Sequence, residues 1–140
     1  MSTITLGILG GGQLGSMLSV AAKKLNIRTV IYCDDQSAPA QNFSDEFIYA
    51  KYDDKNKIHD FAKKVDVITY EFENIPFETL SELNKLKTVL PKPSVNRLIQ
   101  HRIAEKDFIN NLNIRTTRYV LIESKEDLTP LEEFLPGILK

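Results

Sequence analysis

Apolar and polar positions follow one another in blocks, and the period of the pattern changes in a regular order. Ile4 to Leu9 is a short apolar run that stops at Gly10, Gly11 and Gly12, which predicts a buried strand entering a glycine turn. Leu14, Met17, Leu18, Ala21, Ala22 and Leu25 then recur on one face at helical spacing, so an amphipathic helix is expected, ending at Asn26. Arg28 to Cys33 predicts a second strand, with the acidic pair Asp34 and Asp35 at its carboxyl end. Gln36 to Ser44 is polar without a period and predicts a loop, and Glu46 to Ala50 a short third strand. Ile58, Phe61, Ala62 and Val65 mark a short helix, and Asp66 to Tyr70 a strand around Val67 and Ile68. Strand, helix, strand, strand, helix, strand is the rhythm of an α/β fold with a parallel sheet and crossover helices.

Beyond Glu71 the pattern continues. Pro76 suits the first turn of a helix carrying Phe77, Leu80, Leu83 and Leu86, followed by a strand from Thr88 to Leu90. Pro91-Lys92-Pro93 is a rigid connection to two helical stretches, Val95 to Gln100 and Ile103 to Leu112, which could be continuous. Thr117 to Ile122 predicts another strand. Ser124 with Asp127 resembles a capping box for a short helix, and Ile138-Leu139-Lys140 looks like the start of a strand. The expected division is a complete α/β domain over residues 1–95 and the beginning of a second over residues 96–140.

Composition changes this picture little. Of the 140 residues 42% are hydrophobic and 26% charged, ordinary for a globular protein, and the net charge of -1 lacks the basic surplus that nucleic acid or an anionic membrane would call for. The single cysteine, Cys33, rules out an intrachain disulfide and a Cys-rich metal site, and its apolar neighbours predict a thiol packed in a strand. No apolar run approaches the ~20 residues needed to cross a bilayer. Nothing at Met1 resembles a signal peptide, so a cytoplasmic protein is expected.

The candidate chemistry lies at strand ends. Gly10, Gly12 and Gly15 satisfy G-x-G-x-x-G between a strand and a helix, where backbone can approach an anion and the helix N-terminus offers free N–H groups. Asp34 follows about 20 residues on, where a dinucleotide-binding fold has its ribose acid. A nicotinamide-dependent dehydrogenase is therefore open, as is a purely structural glycine turn. Tyr70-Glu71-Phe72-Glu73-Asn74 puts two carboxylates on the same sheet edge, and in extended backbone Glu71 and Glu73 point the same way. Such acids suit a ligand with a phosphate at one end and an amine or hydroxyls at the other. They could also be exposed acids ahead of a helix. As a carboxylate outside the core, Glu71 is expected to be replaceable without harm to the fold. His59 and His101 are expected to be surface residues.

Gly7-Ile8-Leu9-Gly10-Gly11-Gly12-Gln13-Leu14-Gly15 and Val67-Ile68-Thr69-Tyr70-Glu71-Phe72-Glu73-Asn74 closely resemble the N5-carboxyaminoimidazole ribonucleotide synthetases of the ATP-grasp superfamily. Ser37-Ala38-Pro39-Ala40, Tyr52-Asp53-Asp54, Lys92-Pro93-Ser94 and Gln100-His101-Arg102-Ile103-Ala104-Glu105-Lys106 match the same family in order, so the resemblance covers essentially the whole chain. It implies a Rossmann-like pre-ATP-grasp domain followed by the start of an ATP-grasp domain. The implied ligase joins 5-aminoimidazole ribonucleotide, bicarbonate and ATP in purine biosynthesis, through carboxyphosphate and with Mg2+. By the same resemblance Gly12, Gln13 and Leu14 hold the ribonucleotide phosphate, Glu71 acts on its amino-imidazole end with Glu73 as a weaker partner, and Arg102 and Lys140 contact ATP. Magnesium ligands are implied only beyond residue 140, a homodimer is implied for the full-length enzyme, and the fragment alone is expected to be inactive. Ser16 stands where many relatives carry Arg, and His101 where Asp is more usual. A non-catalytic nucleotide-binding domain remains a third possibility.

Overall fold

The computed structural model describes residues 4–129, 131 and 134–139. They fall into two compact units, Met1–Gln100 and His101–Lys140. In the first unit β1 (Thr5–Leu9), β2 (Arg28–Cys33), β3 (Glu46–Tyr49), β4 (Val67–Tyr70) and β5 (Thr88–Val89) form one sheet in the order β3-β2-β1-β4-β5, every neighbouring pair parallel. The helices of this unit are α1 (Gln13–Lys24), α2 (Lys55–Lys64), α3 (Phe77–Leu86) and α4 (Pro93–Ile99). The segment between β2 and β3 is a loop, as expected, with one 3₁₀ turn at Pro39–Asn42. The chain runs outward from β1 to β3 and then returns to lay β4 on the other side of β1. The carboxyl ends of β1 and β4 thus flank the point where strand order reverses, the place where open α/β sheets bind ligands.

The sheet is covered on both faces, which is why its strands are apolar runs and not alternating ones. On one face Leu9, Val30, Tyr32, Phe61, Ile68, Leu80 and Leu83 are buried together with Tyr52, Ile58 and Ile75. Phe61 meets the Tyr32 ring edge-on at 5.5 Å, and β1 admits it because Gly7 has no side chain: a Cβ there would lie 2.6 Å from Phe61 Cζ. The Tyr32 hydroxyl donates to the Lys51 carbonyl at 2.6 Å, so this buried phenol is satisfied. Its burial, with the carboxylates of Asp54, Asp53 and Asp34 adding, pushes its pKa far above the ordinary value and keeps it neutral.

On the other face the smaller cluster of Ile8, Ile31, Cys33, Ala38 and Ala40 is buried, and Cys33 is a packed thiol as its neighbours predict. The helix α1 differs from its pattern. Its buried residues are Gly15, Ser16, Ser19 and Ala22, whereas Leu14, Met17 and Leu25 are 55%, 66% and 71% exposed. Small residues let α1 lie close to the sheet, and the expected apolar stripe, Ala22 excepted, is turned outward.

In the second unit α5 (Arg102–Asn111) is separate from α4, and His101 caps it, its Nδ1 accepting from the Ala104 N–H at 3.4 Å. The strand expected from Thr117 to Ile122 is not formed. Among the described residues no strand pairs with this segment. It is held instead by side chains: Tyr119 bonds to Asp107 and Asn110, and Lys106 donates to Thr117 Oγ1 at 3.1 Å. Asp127 does cap backwards, accepting from the Glu123 and Ser124 N–H groups at 2.9 and 2.8 Å, but the element it starts is only a 3₁₀ turn at Glu126–Leu128. No strand forms at Ile138 and Leu139, and Lys140 lies outside the described residues.

Candidate functional site

The turn after β1 is built around Gly10, whose φ of +100° is a conformation that L side chains rarely adopt. Its N–H donates to the Tyr32 carbonyl at 2.9 Å and continues the β1–β2 ladder for one more residue. Gly12 then caps α1 with extended backbone and no side-chain bond of its own. The Ser16 N–H and hydroxyl both donate to the Gly12 carbonyl, at 3.0 and 3.1 Å. The first turn of a helix leaves its N–H groups without intrahelical partners.

Glu71 supplies the missing acceptor. Its N–H donates to the Leu9 carbonyl at 3.1 Å, extending the β4–β1 ladder to the sheet edge. Its carboxylate then accepts from the Gly12 N–H at 2.7 Å through Oε1 and from the Gly15 N–H at 3.0 Å through Oε2. The approach is so close that a Cβ on Gly12 would lie 2.9 Å from Oε1. A carboxylate here also faces the positive end of the helix dipole. Glu71 is thus tied into the fold, contrary to the expectation that it could be replaced without structural effect.

This arrangement divides the amides at the head of α1. Glu71 holds those of Gly12 and Gly15, and no hydrogen bond is made by the N–H of Gln13 or Leu14 among the described residues. Gln13 and Leu14 are both exposed. Of the three residues expected to hold a phosphate, Gln13 and Leu14 therefore have spare donors and Gly12 does not. A pyrophosphate spread over the amides of this turn would have to displace the Glu71 carboxylate from Gly12 and Gly15, whereas the two amides left over suffice for a single phosphate. Asp34 is exposed at the end of β2, and Asp35 is occupied locally, its Oδ1 accepting from Ser37 N–H at 2.8 Å and Ser37 hydroxyl at 2.7 Å. Those two bonds hold the Asp35 carboxyl below its ordinary pKa.

Glu73 is half-buried, and its carbonyl accepts from Gln100 Nε2 at 2.7 Å. Gln100 donates also to the Ile75 carbonyl at 2.9 Å, which Asn96 Nδ2 reaches at 3.0 Å. Sequence reasoning singles out neither amide. Their i, i+4 spacing on α4 is the signal that could have found them. His59 pairs with Glu82 at 3.1 Å on the exposed surface between α2 and α3. In the second unit Arg102 forms an ion pair with Glu105 at 2.9 Å, and Lys140 lies outside the described residues. Among the described residues no group of three or more His, Cys, Asp or Glu side chains could hold a metal ion, and no helix is long and apolar enough to cross a membrane.

Residues 1–100 match the family model described as the ribonucleotide synthetase preATP-grasp domain. The chain is 40% identical over 124 residues to the N5-carboxyaminoimidazole ribonucleotide synthase of Brucella melitensis, covering 89% of this chain and 34% of that protein. A crystal structure of N5-carboxyaminoimidazole synthetase from Staphylococcus aureus complexed with ADP superposes with a TM-score of 0.83 at 31% identity, covering 95% of this chain and 36% of that one. A structure of N5-carboxyaminoimidazole synthase from Aspergillus clavatus, in complex with ADP and 5-aminoimidazole ribonucleotide, gives a TM-score of 0.78 at 28% identity over 96% of this chain and 36% of that one. The chain thus spans about a third of the length of each of these proteins.

Proposed function

Since the chain belongs to the ribonucleotide synthetase preATP-grasp family, we propose that its first unit holds the ribonucleotide substrate of an ATP-dependent ligase that carboxylates 5-aminoimidazole ribonucleotide. The observation that carries this reading is the division of amides at the head of α1, with Glu71 on Gly12 and Gly15 and the donors of Gln13 and Leu14 left over. A phosphate on Gln13 and Leu14 gains charge-assisted hydrogen bonds and the helix dipole. Each Glu71 oxygen has a further lone pair, so the same carboxylate can accept an N–H from the amino-imidazole end while the turn keeps it in place. Glu73, two residues on, is the weaker second acceptor.

In the proposed reaction the γ-phosphoryl group of ATP passes to a bicarbonate oxygen, leaving ADP and giving carboxyphosphate. Carboxyphosphate breaks its C–O bond to release phosphate and CO2. The exocyclic nitrogen then forms the N–C bond to CO2 and loses a proton. Glu71, accepting one N–H, turns the nitrogen lone pair toward the arriving carbon, a positioning effect. Arg102 and Lys140 are the proposed contacts to ATP, and the ADP bound by the Staphylococcus aureus and Aspergillus clavatus proteins supports a nucleotide site in the full-length protein. Magnesium would neutralise the phosphates during transfer, and the resemblance puts its ligands beyond residue 140. Residues 1–95 are proposed as the pre-ATP-grasp domain and 96–140 as linker helices and the start of the ATP-grasp domain, in a cytoplasmic homodimer when full-length.

The test is ADP release by the full-length protein. It should require both 5-aminoimidazole ribonucleotide and bicarbonate and yield N5-carboxyaminoimidazole ribonucleotide. ADP release indifferent to the ribonucleotide, or turnover of a nicotinamide cofactor, would defeat the reading.

A further inference from the structure

Glu71 and Glu73 sit on a segment that belongs to neither β4 nor α3, and the carbonyls of Glu73 and Ile75 fall outside the sheet ladder. Gln100, at the end of α4, spans both of them with one side chain, donating at 2.7 Å to Glu73 and 2.9 Å to Ile75. Asn96, one turn earlier, adds a second bond to the Ile75 carbonyl. The two amides differ in setting. Asn96 is fully buried and Ile75 is packed in the core, so that bond belongs to the fold. Gln100 is exposed. Hydrogen bonds made by an exposed side chain compete with water and contribute little to stability. A pair of hydrogen bonds of this kind fixes backbone geometry instead, here two and four residues after Glu71.

We propose that Gln100 is a positioning residue for the ribonucleotide site: by clamping the Glu73 and Ile75 carbonyls it fixes the segment that presents the Glu71 carboxylate to the substrate amine. This rests on the function proposed above. Without the clamp Glu71 is left on its bonds to Leu9, Gly12 and Gly15 alone while the segment from 72 to 74 gains freedom, so that when the substrate amine competes with those amides for the carboxylate, Glu71 is less firmly placed. Small displacements of a positioning group are costly, about a hundredfold for an ångström.

The experiment uses the full-length enzyme with Gln100→Leu, Glu71→Gln and the double variant, measuring steady-state kinetics for both substrates. Gln100→Leu should lower kcat/KM for 5-aminoimidazole ribonucleotide by about ten- to a hundredfold and leave the KM for ATP within about twofold, with thermal unfolding nearly unchanged. Gln100→Glu, which sets an acceptor against two carbonyls, should be worse than leucine. A residue that acts through Glu71 should lose its effect once Glu71 is disabled, so in the Glu71→Gln background Gln100→Leu should cost less than about threefold more. Fully additive losses, or equal rises in both KM values, would mean that Gln100 merely supports the fold and would overturn the proposal. So would a Gln100→Leu enzyme with normal ribonucleotide kinetics beside an impaired Glu71→Gln. If Glu71→Gln itself leaves those kinetics untouched, the function proposed above fails first and the clamp has nothing to position.

Discussion

Replacing Glu71 by Gln keeps the size of the side chain and removes its charge from the head of α1. The carboxylate accepts two backbone N–H bonds there, at 2.7 Å from Gly12 and 3.0 Å from Gly15. An amide can accept only one of them, and its NH2 must then face the other N–H donor to donor. The loss is one hydrogen bond to a charged group, about 1.5–3 kcal/mol, together with about 0.3–1 kcal/mol of helix-dipole interaction. Glu71 is half-buried, which favours the lower half of that range. The net destabilisation is about 2 kcal/mol, and for a domain of this size that lowers Tm by roughly 10 °C. Circular dichroism of the 140-residue chain during heating reads it directly. In the full-length enzyme the same change should reduce kcat/KM for the ribonucleotide by roughly ten- to a thousandfold, the charged bond plus lost orientation. Glu73→Gln, which disturbs no side-chain bond to the turn, is the internal control and should cost less in both assays. A Tm within about 2 °C of the parent chain would refute the structural reasoning. A normal kcat/KM would refute the functional half.

Two further outcomes are expected from the same geometry. Gly10→Ala must hold an alanine at a φ of +100° and set a Cβ 2.4 Å from Glu71 Cγ, so urea denaturation should show a loss of about 3–4 kcal/mol, strain plus a displaced carboxylate. Asp54→Ala removes the α2 cap that accepts from the Lys57 N–H at 3.0 Å; it should lower stability by about 1 kcal/mol without changing ribonucleotide kinetics in the full-length enzyme.

The sheet is legible in the sequence because its central strands β1, β2 and β4 are covered on both sides and are therefore written as apolar runs ending in Gly, Asp or Glu. The glycine turn is legible for a related reason, since its residues serve a local backbone shape. The features that escape a sequence reading depend on partners distant in the chain. The helical period locates α1 correctly but mostly implies the wrong face: Leu14, Met17 and Leu25 look like a core stripe, yet the buried positions are Gly15, Ser16, Ser19 and Ala22, whose small side chains allow a close approach. Thr117 to Ile122 has the composition of a strand, but strand formation needs a neighbour to pair with, and composition says nothing of that. Glu71 stands out in the sequence as a candidate acid at the sheet edge. Its bonds to amides 59 and 56 residues away have no local signature, so its structural part is hidden. Gln100 stands inside a matching motif, but its bonds to the carbonyls of Glu73 and Ile75, more than twenty residues away, have no local signature either.

The central element of the proposed site is a phosphate bound by the backbone of Gln13 and Leu14 beside Glu71. Calorimetric titration of the full-length protein with 5-aminoimidazole ribonucleotide, and then with the corresponding nucleoside, isolates that phosphate. Two charge-assisted hydrogen bonds of about 1.5 kcal/mol or more each should make the nucleotide bind at least about a hundredfold tighter. NADH should produce no heat of binding. Equal affinity for nucleotide and nucleoside, or saturable binding of NADH, would contradict a phosphate site at this turn.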